Sequence, residues 1–236
     1  MMPNTHKQTS IELLTYPLTH NPIKIALLLK YLDSRKSSQD KSLLVTSRTI
    51  HLDQREHHSE DFIAINPNRK VPVLIDGSAV VWESNAILHH LANRFESDVW
   101  PRDSDEQNQV IRWLMWEASR WSQTIGDLLK HTIYFPFWGY DGNPEEIEKQ
   151  SRRLSRLLDV LDQELQTQPY LAGPSLTIAD FSIAAPLIYA AEIGLNLDDH
   201  SAVKLWLNEL SQSRWWQQCL TELNTFRAQS TNIKRA

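Results

Sequence analysis

Apolar positions along this 236-residue chain recur with two different periods, and the change from one to the other divides it. Ile11-Glu12-Leu13-Leu14-Thr15-Tyr16 is a short β-prone run stopped by Pro17. Residues 23–32 then carry Ile23, Ala26, Leu27 and Tyr31 at helical spacing, and Leu28 and Leu29 widen that face, which predicts a largely buried helix. Asn21 is a good N-cap and Pro22 suits the first helical position, where a missing N–H costs nothing. Residues 33–40 read as an exposed polar loop. Leu43-Leu44-Val45 and Thr49-Ile50-His51-Leu52 predict one interrupted strand or two short ones, before a polar loop at 54–59 and a short helix at 60–65. After the turn Asn66-Pro67-Asn68-Arg69, the runs Val71-Pro72-Val73-Leu74-Ile75 and Ala79-Val80-Val81-Trp82 flank Asp76-Gly77, a signal for a two-residue hairpin turn. An amphipathic helix over 84–95 follows, with Ala86, Ile87, Leu88 and Leu91 on its apolar side. Strand, helix, strand, helix, strand, strand, helix predicts a parallel β-α-β unit with an antiparallel end.

The polar segment 96–105 changes the pattern and predicts a boundary between a first domain, 1–95, and a second, 105–236. Everything beyond it reads as helix. One long helix is expected over 106–131, with Val110, Trp113, Leu114, Trp116 and Trp121, and an aromatic loop over 134–140. Residues 144–166 carry leucines at periods of three and four. Gly173-Pro174 breaks the chain, shorter helices are expected at 178–193, 202–210 and 215–226, and the tail from Arg227 is expected to fray. Thr177 and Asp180 stand at the N-cap and N3 positions of a capping box, with Leu176 and Phe181 placed as its hydrophobic staple. These residues are expected to hold a helix start and not a site.

Composition narrows the classes. A net charge of -5 provides no basic footprint for nucleic acid and no polybasic patch for a membrane surface. The single cysteine, Cys219, excludes an internal disulfide and suits a reducing compartment. No apolar run approaches the roughly 20 residues of a spanning helix, and MMPNTHKQTS lacks the pattern of a signal peptide. A cytoplasmic location is the expectation. Nine tryptophans are the one unusual count, and they matter for the second domain's helices.

Chemistry concentrates in residues 66–85. Proline cannot donate to a ladder, so Pro72 opens a sheet edge or holds a bend, and an X-Pro bond tolerates the cis form. Glu83-Ser84, at a helix start, adds a carboxylate and a hydroxyl beside free N–H groups. Such a site suits a peptide-like ligand. The motif Asn66-Pro67 to Val71-Pro72-Val73-Leu74, then Glu83-Ser84-Asn85-Ala86-Ile87, resembles the glutathione-binding half of glutathione S-transferases. The Thr177-x-x-Asp180 box after Tyr170-Leu171-Ala172-Gly173 resembles the capping box of that family's helical domain. The likeness runs over residues 11–226.

The resemblance implies an α/β, thioredoxin-like N-terminal domain and an all-α C-terminal domain, with glutathione as co-substrate on the first and an apolar electrophile in the cleft between them. It implies that Val71 pairs its backbone with the cysteinyl part of glutathione next to a cis Pro72, and that Glu83 and Ser84 hold the γ-glutamyl amine and carboxylate. Lys70 stands where the family often has Gln or Lys. His57 and His58 match positions that contact the glycyl carboxylate in some classes, although a solvated loop accounts for them equally. Adjacent histidines lack the spacing of a helical metal pair, and no metal is expected.

A thiol must ionise to attack, so the site needs a donor aimed at sulfur. By family pattern, Thr19 is the first expected donor to the thiolate, ahead of Asn21: it lies where several classes place a catalytic Ser, five residues before a basic position that Lys24 fills. Asn21 lies where another class uses Asn alongside Thr, and Tyr16 is the third candidate. Thr19 and Asn21 also read as simple helix caps. The loop holds no cysteine, which argues against a mixed disulfide on the enzyme. Trp113, Trp116 and Trp121 are expected to line the co-substrate cleft or else to fill the core, with Trp138 a weaker candidate. The resemblance further implies a detoxifying transferase and a homodimer. A glutathione-dependent disulfide reductase or peroxidase and a non-catalytic binding module are the alternatives.

Overall fold

The computed structural model describes residues 10–35 and 45–233, with side chains described to Ser230. Strands β1 (Ile11–Thr15), β2 (Val45–Thr49), β3 (Val73–Asp76) and β4 (Ala79–Trp82) form one sheet in the order β2-β1-β3-β4. β1 runs parallel to β2 and antiparallel to β3, and β3 and β4 form the hairpin. Helices α1 (His20–Ser34), α2 (Glu60–Ile65) and α3 (Ser84–Arg94) complete a thioredoxin-like α/β domain. The period of two decides its layers. Ile11, Leu13 and Leu74 turn to the large core shared with α1, α3 and the second domain. Leu14 and Val73 turn to the other face and pack with Ile50 and Phe62, the latter from α2.

Several boundaries differ from the pattern. Asp76 pairs with Ala79, so the hairpin loop is Gly77-Ser78 and not Asp76-Gly77, and Gly77 takes φ +62 there. The N-cap of α1 is Thr19, not Asn21; the Thr19 hydroxyl donates to the Tyr16 carbonyl at 3.2 Å instead of capping. His20 and Asn21, ahead of the proline, are thus already helical, because tertiary contacts hold them. The helix also continues through Asp33 and Ser34 into the stretch read as loop. Leu43, Leu44 and most of the insertion at 34–42 lie outside the described residues. The stretch at 54–59 contains a 3-10 turn, Glu56–His58.

The second domain is all helical: α4 (Ser104–Trp116), α5 (Ser122–Leu129), α6 (Phe135–Trp138), α7 (Pro144–Leu165), α8 (Ile178–Ala184), α9 (Ser201–Gln212) and α10 (Arg214–Ile233). α4, α5 and α6 are one continuous rod joined by two π turns, Glu117–Trp121 and Lys130–Tyr134. The aromatic segment read as a loop is therefore helical as far as Trp138, and ends at Gly139 with φ +85. α8 stops at Ala184 and tightens into a 3-10 turn through Pro186, which cannot donate to a continuing α-helix. The tail does not fray at Arg227: α10 continues to Ile233, and Arg227 is anchored on both carboxylate oxygens of Glu192 at 2.7 and 2.9 Å.

The capping box is present in full, and its acid does more than cap. Asp180 is fully buried; it accepts from the Thr177 and Leu171 N–H groups at 2.9 and 3.0 Å and from Trp206 Nε1 at 3.1 Å. It thereby ties the start of α8 to the 170–173 turn and to α9.

Two tyrosines of the second domain reach the loop before α1. Tyr189 Oη donates to the Leu18 carbonyl at 2.6 Å, and Tyr134 Oη accepts from the His20 N–H at 3.1 Å. Having accepted from that N–H, Tyr134 turns its proton to His20 Nδ1 at 3.1 Å, which leaves Nε2–H to donate to Ser122 Oγ at 3.3 Å. Burial, helped by the nearby Lys24 charge, pushes His20 down to about 3, so the ring is neutral at ordinary pH.

Two outcomes follow from these contacts. Asp180→Ala takes the acceptor from four buried donors, the Leu171 and Thr177 N–H groups, the Thr177 hydroxyl and Trp206 Nε1, and is expected to cost about 3 kcal/mol or more in urea unfolding, a loss visible in the transition midpoint at unchanged slope. His20 has a folded pKa below its unfolded value of about 6.5, so its contribution to stability is complete above pH 6.5 and is lost as pH falls towards 3. Asp180, raised by burial from 3.8 to about 6, acts in the opposite sense, because its contribution is lost as pH rises between those values. Comparing His20→Gln with the parent isolates the histidine: between pH 6 and pH 4 the parent's unfolding free energy should fall more steeply by close to one proton, about 1.4 kcal/mol per pH unit.

Candidate functional site

A cavity of about 920 Å³ opens between the two domains. The first domain contributes His20, Asn21 and Lys24 from α1, the segment Lys70-Val71-Pro72 with Asn66, and Glu83 to Ala86 at the start of α3. The second contributes Ile111, Leu114 and Met115 from α4, Glu117 and Ala118 from the π turn, and Ser122, Gln123, Gly126 and Asp127 from α5. One side is therefore rich in charge and main-chain polar groups, and the other mixes apolar and neutral polar surface.

Local chemistry explains the polar side. Buried Asn66 donates from Nδ2 to the Lys70 carbonyl at 2.8 Å and accepts from the Asn68 N–H at 3.0 Å, which folds 66–70 into a rigid turn. That turn delivers Val71 to the cis Val71–Pro72 bond, ahead of the ladder that begins at Val73. Val71 therefore stands at the cavity beside the sheet without being absorbed into it. Glu83 is the N-cap of α3 with φ +70, a left-handed conformation that costs a non-glycine residue on the order of 1–3 kcal/mol. Its side chain makes no capping hydrogen bond and is exposed at the cavity wall, so the carboxylate stays available beside the unsatisfied N–H groups of α3.

Beneath these groups lies a connected polar network. Lys24 is buried, and its Nζ donates to Glu117 Oε1 at 2.6 Å and to Ser84 Oγ at 3.2 Å. Ser84 Oγ donates in turn to Asn21 Oδ1 at 3.2 Å. Glu117 Oε2 accepts from Asn85 Nδ2 at 2.9 Å, and Asn85 Oδ1 accepts from Ser182 Oγ at 2.6 Å. Burial lowers the Lys24 pKa, and the Glu117 carboxylate beside it works against that. The pair is neutral as a unit, so the polar floor carries hydrogen-bonding capacity without a net charge.

Of the residues that the sequence singled out, Asn21, Lys70, Val71, Pro72, Glu83 and Ser84 share this cavity. Thr19 is two residues from Asn21 in sequence, but its hydroxyl is bonded to Tyr16 O and it is not on the wall. Tyr16 is buried, accepts from Trp138 Nε1 at 3.2 Å, and has its phenol pushed up by burial. His57 and His58 pack edge to face with centroids 4.3 Å apart, off the wall. Trp113 and Trp121 are buried, and Trp116 packs between them at centroid distances of 5.3 and 5.9 Å. These rings fill the core because the helix turns the next face, Leu114, Met115 and Ala118, towards the cavity.

Sequence reasoning gave no role to His20 or Glu117, and quoted Asn66 and Asn85 only as members of the motif. A carboxylate directly after Trp116, on a helix whose neighbours are aromatic, was a usable sign of Glu117, because a buried acid requires a partner. His20 had no such sign. Its place is set by Gly126 across the cavity, where a Cβ would stand 2.9 Å from His20 Cε1.

Comparison with known proteins agrees with this geometry. Residues 10–93 match the family model of the glutathione S-transferase N-terminal domain, and residues 126–214 that of the C-terminal domain. Glutathione S-transferase F10 of Arabidopsis thaliana is 28% identical over 74% of this chain and 85% of its own length. Glutathione S-transferase theta-2 of Rattus norvegicus is 35% identical over 64% of this chain, which spans 63% of that relative. The solved glutathione transferase URE2P6 of Phanerochaete chrysosporium, in complex with oxidized glutathione, superposes with TM-score 0.78 at 25% identity, over 92% of this chain and 98% of that one. With both family domains matched in order on a thioredoxin-like domain followed by a helical one, the chain belongs to the glutathione S-transferase family.

Proposed function

We propose that this protein binds glutathione in the interdomain cavity and transfers its thiolate to an apolar electrophile. The observation that carries the reading is the convergence of Val71 at its cis proline with Glu83 and Ser84 at the α3 N-terminus on one wall, in a chain of this family. Val71 would pair its main chain with the cysteinyl unit. Glu83 would meet the glutamyl ammonium, and Ser84 with the α3 N–H groups would meet the glutamyl carboxylate. Lys70 lies at the same wall, and His57 and His58 would need to turn towards it to reach the glycyl end. Opposite, Ile111, Leu114, Met115 and Ala118 offer apolar surface for a co-substrate.

Activation of the thiol falls to the residues at the start of α1. Asn21 is the donor that already stands on the wall, and its Nδ2 would stabilise a thiolate by a charge-assisted hydrogen bond. Thr19 can join it only by releasing the Tyr16 carbonyl. Disulfide reduction is the second reading, favoured by the same Asn21 placement, and it would run through glutathione alone. Cys219 takes no part in it, since it is buried and its thiol is pushed up to about 12. Turnover of a chloronitrobenzene supports conjugation; turnover of hydroxyethyl disulfide in its place supports reduction, and failure to retain on immobilised glutathione supports a non-catalytic module.

The reading also includes a two-fold homodimer. Val80 and Trp82 lie exposed on the edge strand β4, at 46% and 42%, so the first domain carries apolar surface for a second copy.

Asn21→Ala is expected to lower kcat by roughly 10²-fold, the usual scale for one lost donor to a developing anion, while glutathione still binds. Thr19→Ala should cost less, and equal losses would overturn that order. Sedimentation equilibrium should return twice the chain mass, and Trp82→Lys should shift it towards the monomer.

A further inference from the structure

The ring of His20 is held more closely than a neutral side chain at a cavity wall needs. It lines the interdomain cavity with Asn21, Ser122 and Gly126, and only 9% of the residue is exposed. Tyr134 Oη accepts from the His20 main-chain N–H at 3.1 Å and stands 3.1 Å from Nδ1 of the same residue. Burial pushes the Tyr134 phenol up, so the hydroxyl keeps its proton and turns it to Nδ1. One hydroxyl thus engages the backbone and the ring of a single residue, and it fixes the tautomer: Nδ1 accepts and Nε2 carries the hydrogen. The two rings lie parallel to within 4°.

Nε2–H is the weakly used end. Its partner, Ser122 Oγ, is a neutral acceptor at 3.3 Å, beyond the usual range, and it also faces the cavity. Gly126 lets the ring lie there, since a Cβ would stand 2.9 Å from Cε1 and 3.5 Å from Nε2. Glycine is a poor residue inside a helix, so its place within α5 has a packing reason, and His20 is that reason. An ionised sulfur in the cavity is a stronger acceptor than the serine hydroxyl. Burial and the Lys24 charge keep the ring neutral, so it meets such a sulfur as an N–H donor and neither as a base nor as an imidazolium.

We propose that His20 is a catalytic residue whose Nε2–H leaves Ser122 and donates to the glutathione thiolate, and that Tyr134 of the helical domain is its positioning residue. Tyr134 acts through the tautomer, because only the form it holds makes Nε2 a donor. The thiol proton leaves to water, and the ring neither gains nor loses one. The inference rests on the glutathione reading above. It adds a second donor beside Asn21, one whose proton is placed by the opposite domain.

The test reads the bound thiol and the ring separately. Ultraviolet absorbance of the thiolate, titrated in the glutathione complex, gives the pKa of the bound thiol. His20→Ala should raise it by about one unit or more, the scale of one charge-assisted hydrogen bond. Tyr134→Phe keeps the aromatic ring and removes only the hydroxyl; it should raise the thiol pKa in the same direction, and it carries the test where His20→Ala does not fold. Nitrogen NMR of labelled histidine reads the tautomer: the resonances lost in His20→Gln should show Nε2 protonated in the parent and a mixture of both tautomers in Tyr134→Phe. S-methylglutathione has no thiol to ionise, so calorimetry should find its affinity changed by less than about twofold in either variant. An unchanged thiol pKa in either variant would overturn the inference, as would a parent ring protonated at Nδ1. Loss of S-methylglutathione affinity as large as the loss of thiolate would reduce both residues to structural props and overturn it too. Absence of glutathione binding by the parent protein would instead overturn the functional reading on which the inference stands.

Discussion

Everything at the interdomain cavity depends on an ammonium that has been taken out of water. Lys24 is buried in the seam between an α/β domain and a helical one, and an isolated charge there would be prohibitive. Glu117 resolves that by approaching to 2.6 Å from the opposite domain. The demand for charge compensation therefore dictates how the domains sit. α1 and the π turn after α4 must face each other, and the start of α3 must lie beside both, because Ser84 and Asn85 complete the hydrogen bonds of the same two side chains. A salt bridge of this kind is poor evidence for stability and better evidence for a defined geometry.

The rest of the cavity follows the same logic of groups held in place by their neighbours. Asn66 uses both ends of its amide to set the turn before Val71, and Glu83 accepts a left-handed backbone at the head of α3. Such strain persists only where the surroundings over-determine it. Here β4 runs directly into Glu83 and α3 begins directly after it, so no loop residue is left to absorb the turn. His20 is constrained from three directions, by Tyr134, Ser122 and the missing side chain of Gly126. The second domain thus contributes more than a lid over a finished half-site. It holds the first turn of α1, which stands on the cavity wall.

Patterns within one element were legible in the sequence, and patterns between elements were not. The parallel β-α-β unit and the antiparallel hairpin were readable from the succession of elements, while the order β2-β1-β3-β4 came with the tertiary structure. The Thr177–Asp180 box was readable because both partners lie within one helical turn. Val71, Glu83 and Ser84 could be named as neighbours in space because a short motif carries them, whereas Thr19, preferred over Asn21 as the donor, stands off the cavity wall. In contrast, the N-cap of α1 was misplaced: Asn21 had the better local chemistry, but His20 and Asn21 are drawn into the helix by Tyr134 and Ser84. The tryptophans were similarly ambiguous, since periodicity names the apolar face of a helix without saying whether that face meets a core or a cleft.

By itself the sequence determined the two halves, the parallel β-α-β unit with its hairpin and the Thr177–Asp180 capping box, because each is written in residues close along the chain. Only the tertiary structure decided which donor stands on the cavity wall, that Lys24 and Glu117 meet across 93 residues of chain, and that His20 stays neutral among groups more than 100 residues away. Burial and proximity between distant segments set those outcomes, and neither has a local pattern.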